Sequence, residues 1–212
     1  MLGLISQIII DLIQSTEYVG IFILMALESA LIPIPSEVTM PFSGYLAEQG
    51  KLSFWIVVLV GATANLVGSW GAYALGYYLE ESVILDLVRR YGKFVLMSEK
   101  EYLRALRWFR RYGQSVAFFS RLLPAVRTFI SLPAGLAGMN LGKFSLFTFL
   151  GSFLWSAFLT WIGFSFGANW DILEPYFQKF HFAIATAFII FIFWYLNHKL
   201  KIVQKIRKGG AR

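Results

Sequence analysis

Residues 28–37 read ESALIPIPSE, two glutamates and two prolines set in an otherwise apolar stretch. A counterpart, SRLLPAVRTF at 120–129, carries Arg121 and Arg127 on either side of Pro124. Proline removes a helical hydrogen bond and crowds the preceding turn, so the apolar helix that starts at residue 18 is expected to stop before Pro33. About 15 residues rise roughly 22 Å, short of the roughly 30 Å hydrocarbon core of a bilayer. The run 113–123 is shorter still, roughly 17 Å at the same rise. Second apolar pieces, 36–48 and 128–140, lead back. The pattern predicts two re-entrant hairpins with Pro33, Pro35 and Pro124 at their tips. Broken backbone at membrane depth survives only where protein or a watery cavity satisfies it, so both tips are expected inside the protein.

Composition supports a lipid setting. The chain of 212 residues is 58% hydrophobic and 15% charged, against about 45–50% and about 25% in soluble domains. Aromatic side chains make up 18%, as expected where rings face lipid or line its interfaces. With no cysteine and two histidines, His181 and His198, neither disulfide chemistry nor a metal centre is expected. The net charge of +7 suits an anionic membrane surface better than nucleic acid, because the basic residues flank apolar spans. No basic residue precedes the first apolar run, which therefore does not read as a signal peptide.

Residues 52–79 and 144–166 carry no charge and are long enough to cross a bilayer, and 180–197 makes a third, tighter crossing. Between the halves, 80–112 holds eight Lys or Arg and five Asp or Glu. Within it, SEKEYLRALRWFRRY (98–112) opens with a capping box, Ser98 and Glu101. It sets Tyr102, Leu103, Leu106 and Phe109 opposite Lys100, Arg104, Arg107 and Arg111, an interfacial amphipathic helix. The tail 199–212 adds six Lys or Arg. The positive-inside rule places linker and tail in the cytoplasm, so the first hairpin enters from outside and the second from inside. The expected organisation is one membrane domain over 1–212. It divides into an N-terminal helix (1–17), a first half (18–79), the linker (80–112), a second half (113–167), and a last span with basic tail (168–212).

The halves echo each other. Leu31 and Leu122 lie 91 residues apart, as do Pro33 and Pro124; Pro41 and Pro133 lie 92 apart, as do GKLS (50–53) and GKFS (142–145); Gly76 and Gly167 lie 91 apart. A hairpin adds no net crossing, so each half has odd parity and its copy inserts upside down. The fold class is thus an all-α membrane protein, an inverted repeat of hairpin plus transmembrane helix with one further C-terminal span. Inverted repeats with broken helices are a transporter architecture.

Four charges at membrane depth cost roughly 3 kcal/mol each on insertion scales. Glu28, Glu37, Arg121 and Arg127 must therefore pair, protonate or face water. One reading is an ion-pair clasp joining the hairpins, although buried pairs are often no more stabilising than apolar packing. The other gives each sign its own task. Two arginines offer planar forks suited to a phosphate. Desolvation favours the neutral form of a carboxyl group, which makes Glu28 and Glu37 candidates for carrying a proton. Asn65 and Asn140 read as hydrogen-bonding partners within the bundle.

Glu28 followed by PIPSE, then PFSGYLA (41–47), resembles the first signature of the DedA family, also called SNARE-associated or VTT-domain membrane proteins. FFSRLLPAVRTFISLPAGLAGMN (118–140) resembles its second. The likeness covers about residues 18–167. It departs at Pro35-Ser36-Glu37, where some members have an aspartate in a PGD context. The resemblance implies a multi-pass lipid transporter of the bacterial inner membrane with a cytoplasmic C-terminus. Its implied substrate is an anionic head group, undecaprenyl phosphate, moved with dependence on the proton-motive force. It maps Arg121 and Arg127 onto the family's paired arginines, and Glu28 and Glu37 onto its membrane acidic residues. No cofactor is implied, and a homo-oligomer is compatible with the sequence. Alternatives are a flippase or scramblase for a phospholipid such as phosphatidylethanolamine, an intramembrane lipid phosphatase using Ser120, Thr128 or Ser131, and a structural scaffold.

Overall fold

A computed structural model describes residues 2–32, 34–79, 99–123 and 126–166. All regular elements there are helical: α1 (Leu2–Thr16), α2 (Tyr18–Ser29), α3 (Ser36–Glu48), α4 (Phe54–Tyr78), α5 (Glu99–Phe119), a 3₁₀ turn (Ser120–Leu122), α6 (Ser131–Leu136) and α7 (Leu141–Phe166). The expected last span at 180–197, the basic tail, both histidines and most of the linker lie outside the described residues, as do Pro33, Pro124 and Gly167.

α4 and α7, with 25 and 26 residues, rise about 38 Å each. Both are long and apolar enough to cross a membrane. Their faces are arranged inside out relative to a soluble helix. On α7 the exposed stripe is Leu146, Leu150, Leu154, Phe158 and Trp161, while the buried stripe is Thr148, Ser152, Ser156 and Thr160. On α4, Trp55, Leu59, Val67 and Trp70 are exposed, and Asn65, Ser69 and Ala72 are buried. Lipid solvates the apolar stripe, and small or hydroxyl residues line the helix–helix seam because they let backbones approach.

α2 and α3, of 12 and 13 residues, reach only about 18 and 20 Å. α2 stops at Ser29, a turn earlier than the proline position requires. Its chain leaves through Leu31, whose φ of 74° lies in the left-handed region, a conformation costing a non-glycine residue roughly 1–2 kcal/mol. Pro35 is the residue before α3, with extended backbone. Pro41 lies inside α3, where it deletes the hydrogen bond to the Glu37 carbonyl.

The second half differs from expectation in two ways. α5 runs unbroken from Glu99 to Phe119, joining the expected amphipathic helix to the first leg of the hairpin across the 112/113 boundary. Gly113 permits this, since a single helical glycine costs only about 1 kcal/mol and here the Phe109 ring packs over it. α5 keeps the expected two faces, with Leu106 and Phe109 buried and Arg104, Arg107 and Arg111 exposed. The return leg is reduced to turns over 126–130 and the six residues of α6.

Glycines dictate how the hairpins meet the spans. Gly44 of α3 sits on the Thr160 carbonyl of α7, while Gly163 of α7 sits on the Pro41 carbonyl of α3. In the other half, Gly135 of α6 sits on the Tyr73 carbonyl of α4, and Gly76 of α4 on the Leu132 carbonyl. The two crosses have one design: each return leg packs on the span of the opposite half, with a spacing of three between carbonyl and glycine on every strand of the cross. Gly44 and Gly135 lie 91 residues apart, matching the sequence echo, but Gly163 and Gly76 lie 87 apart. The spans are therefore in register one helical turn away from the Gly76–Gly167 pairing that the sequence suggests. The same shift of 87 aligns Asn65 with Ser152 and Ser69 with Ser156, all buried on the facing stripes.

Candidate functional site

The end of α2 and the start of α3 bring Glu28 and Ser36 together. Helix α3 begins at Ser36, so its first N–H groups have no partner inside the helix. The Ser36 amide donates to Glu28 Oε1 at 3.3 Å, placing that carboxylate at the positive end of the α3 dipole. The Ser36 hydroxyl donates to Glu37 Oε2 at 3.2 Å. Both glutamates are 4% exposed.

From the other half, Arg127 reaches across. Its Nη2 forms an ion pair with Glu28 Oε1 and also donates to Ser36 Oγ. The guanidinium lies 5.6 Å from the Trp155 ring centroid, within cation–π range. Arg127 is 4% exposed. The partners, one from each half of the chain, are 99 residues apart in sequence.

Arg121 is as deeply buried but is used differently. It leaves α5 on the 3₁₀ turn and donates through Nη1 to the Arg127 carbonyl at 2.8 Å and through Nη2 to Ser131 Oγ at 2.8 Å. Its guanidinium also sits 6.0 Å from the Phe144 ring. Arg121 thus ties together the two sides of its own hairpin and holds Arg127 in place. Of the four charges that had to pair, protonate or face water, Arg127 pairs with Glu28, while Arg121 bonds to a carbonyl and a hydroxyl and buttresses it. A lysine has no fork and can reach one of the two acceptors at most. Arg121→Lys is expected to lower stability by about 2 kcal/mol, one charged hydrogen bond, as read by thermal unfolding in detergent.

Among the predicted tip residues, Pro35 borders the cluster, while Pro33 and Pro124 lie outside the described residues. Ser120 is buried and its hydroxyl turns to the Ala117 carbonyl. Sequence reasoning missed Ser36, which bridges both glutamates and Arg127, and it missed Trp155. The available signal was position: Ser36 is the first helical residue after a proline, where hydroxyl and amide are both free to bond. Of the two asparagines, Asn140 caps α7 by accepting from the Lys143 amide at 3.1 Å. Asn65 accepts from the hydroxyl of Ser29, the residue after Glu28. Among the described residues no group of three His, Cys, Asp or Glu is placed to hold a metal ion.

Comparison with known proteins places this constellation in context. The family profile for the VTT domain matches residues 34–165. The undecaprenyl phosphate transporter A of Staphylococcus aureus is 29% identical, over 93% of this chain and 99% of its own. The protein of the same name in Bacillus subtilis is 33% identical over 81% of this chain and 82% of its own. An alkaline phosphatase-like protein of Lactococcus lactis is 30% identical over 88% of each. No solved structure matches. With the profile covering well over half of its length, including α3, α4, α5 and nearly all of α7, the chain belongs to the VTT-domain (DedA) family of integral membrane proteins.

Proposed function

We propose that the protein carries a phosphate-bearing lipid across the bacterial inner membrane, most simply a polyprenyl phosphate such as undecaprenyl phosphate, together with a proton and so coupled to the proton gradient. The observation that carries this reading is the Glu28–Arg127 ion pair at the meeting point of the two hairpins. A permanent clasp gains little over apolar packing once desolvation is counted, whereas a pair that opens gives both partners a task. The phosphate takes the Arg127 fork, and Glu28, having lost its counter-ion in a low-dielectric site, takes a proton. Movement of the hairpins then exposes the site to the other leaflet. Arg121 and Ser131 keep the loaded arginine in position.

The re-entrant, inverted arrangement belongs to the same proposal. Helices too short to cross and two glycine crosses of one design support it, although Ile32, Leu123 and Val126, which flank the proline tips, are exposed and not enclosed by protein as expected. The names of the relatives in Staphylococcus aureus and Bacillus subtilis support the lipid class. The basic face of α5 suits an anionic lipid surface. In this reading residues 18–79 and 113–167 are the two halves of a single membrane domain whose linker and tail face the cytoplasm.

The test is reconstitution of the full chain in liposomes with labelled polyprenyl phosphate, phosphatidylethanolamine and phosphatidylglycerol, with and without a pH gradient. Polyprenyl phosphate should cross, faster with the gradient, and no inorganic phosphate should be released. Selective movement of phosphatidylethanolamine would instead favour the phospholipid reading, and phosphate release would favour the enzyme suggested by the Lactococcus relative's name. Glu28→Gln is expected to transport at a rate indifferent to the gradient; retained gradient dependence would reassign the proton to Glu37.

A further inference from the structure

After the bonds around Arg127 are made, the described interior still holds four N–H donors without a partner: Arg121 Nε, Arg127 Nε, Asn65 Nδ2 and Trp155 Nε1. One carboxylate oxygen, Glu28 Oε2, is also left over. The hydroxyls of Thr148, Ser156 and Thr160 are unpaired as well, but a hydroxyl rotates and can turn to the carbonyl one turn back. An indole N–H is fixed by its ring, and turning the Asn65 amide onto Ser29 would only leave Oδ1 over in place of Nδ2. Buried N–H groups are almost always satisfied in folded proteins, and the indole N–H of a buried tryptophan usually finds a partner.

Each of these donors is linked to the ion pair through a contact or a neighbour in the chain. Trp155 lies against the Arg127 guanidinium. Asn65 is 2% exposed, and its amide is oriented by Ser29, which donates to Oδ1 and leaves Nδ2 over. Ser29 directly follows Glu28. The donors come from three elements of the fold, α4, α7 and the second hairpin, and are tied to Glu28 through Ser29 or through Arg127.

We infer that Asn65 and Trp155 are head-group ligands that complete, with the two arginines, a donor cage for a phosphate monoester. This inference rests on the proposed transport function and specifies its binding site. A monoester presents three non-bridging oxygens, all acceptors, and its second ionisation lies at about 6. One of those oxygens can therefore carry a hydrogen to donate to Glu28 Oε2. A diester has two such oxygens and no hydrogen to donate, so it leaves part of the cage unpaired, which disfavours it.

The test is titration calorimetry on the detergent-purified full chain with decyl phosphate, didecyl phosphate and inorganic phosphate. Trp155→Phe keeps a ring beside Arg127 and removes only the N–H; Asn65→Leu removes the amide at similar volume. Each is expected to weaken decyl phosphate binding about ten- to a hundredfold, the worth of one hydrogen bond to a charged group, while thermal stability without ligand is kept or raised. Didecyl phosphate should bind at least tenfold more weakly than decyl phosphate, and inorganic phosphate should compete with decyl phosphate. Binding by both variants within twofold of wild type overturns the inference; if Arg127→Ala still abolishes binding, the transport site itself stands. Equal affinity for the diester overturns the monoester assignment. Failure of inorganic phosphate to compete also overturns the cage, since it would place the binding energy in the alkyl chain. A wild-type protein that does not bind decyl phosphate overturns both readings.

Discussion

Arg127→Ala is expected to abolish lipid transport and to destabilise the protein by about 3–5 kcal/mol, the usual cost of breaking one side of a buried ion pair. Two effects are mixed in that number, loss of the pair and a stranded carboxylate at Glu28. Arg127→Ala/Glu28→Gln separates them. With both charges gone, most of the stability should return, because replacing both members of a buried pair is often close to neutral. Transport should stay at zero, because the phosphate has lost its fork. A clasp predicts the reverse ordering of priorities: a double variant that regains stability should regain function with it. Unfolding in detergent and flux in liposomes read the two quantities separately.

The second large effect is expected at the glycine crosses. A β-carbon at Gly163 would run into the Pro41 carbonyl, and one at Gly44 into the Thr160 carbonyl, closer than real side chains approach. The obstacle is backbone, so α3 and α7 must part to admit it. Gly163→Val is therefore expected to lose about 3 kcal/mol or more, at the upper end for overpacking, with Gly76→Val equally severe in the other half. Gly71 is the internal control, since nothing lies within 4 Å of its missing side chain. Gly71→Ala should be neutral or gain up to about 1 kcal/mol from helix propensity. Equal losses at Gly71 and Gly163 would mean that the crosses do not hold the hairpins to the spans.

Much of this arrangement can be read from residues alone, for identifiable reasons. α3, α4 and α7 begin and end near where prolines and charges predict, because Pro33, Pro35 and the charge-free runs constrain a helix more strongly than any neighbour does. That charges such as Glu28 and Arg127 need a partner was legible, because a lone charge in lipid is so costly; which carboxylate meets which arginine was not. The continuous α5 was not, since Gly113 and a change from charged to apolar composition look like a boundary, yet neither breaks helical hydrogen bonds. The bonding of Arg121 was not legible either. A guanidinium can be satisfied by a carboxylate or by a carbonyl with a hydroxyl, and only the turn at 126–130 decides which is in reach. The one-turn shift between the spans escaped because Gly167 fits the sequence echo, whereas Gly163 is the glycine that meets a backbone. Ser36 and Trp155 were hidden by abundance in a chain rich in hydroxyls and rings.

Exchange of partners at Arg127 is the step on which lipid and proton movement depend. It can be observed directly by infrared difference spectroscopy of the protein in bilayers, before and after addition of polyprenyl phosphate. The expected result is a new band from a protonated carboxyl group that appears with the lipid, is absent in Glu28→Gln, and is absent in Arg127→Ala. A carboxyl spectrum that does not change on adding the lipid, while the lipid is transported at the wild-type rate, would contradict it.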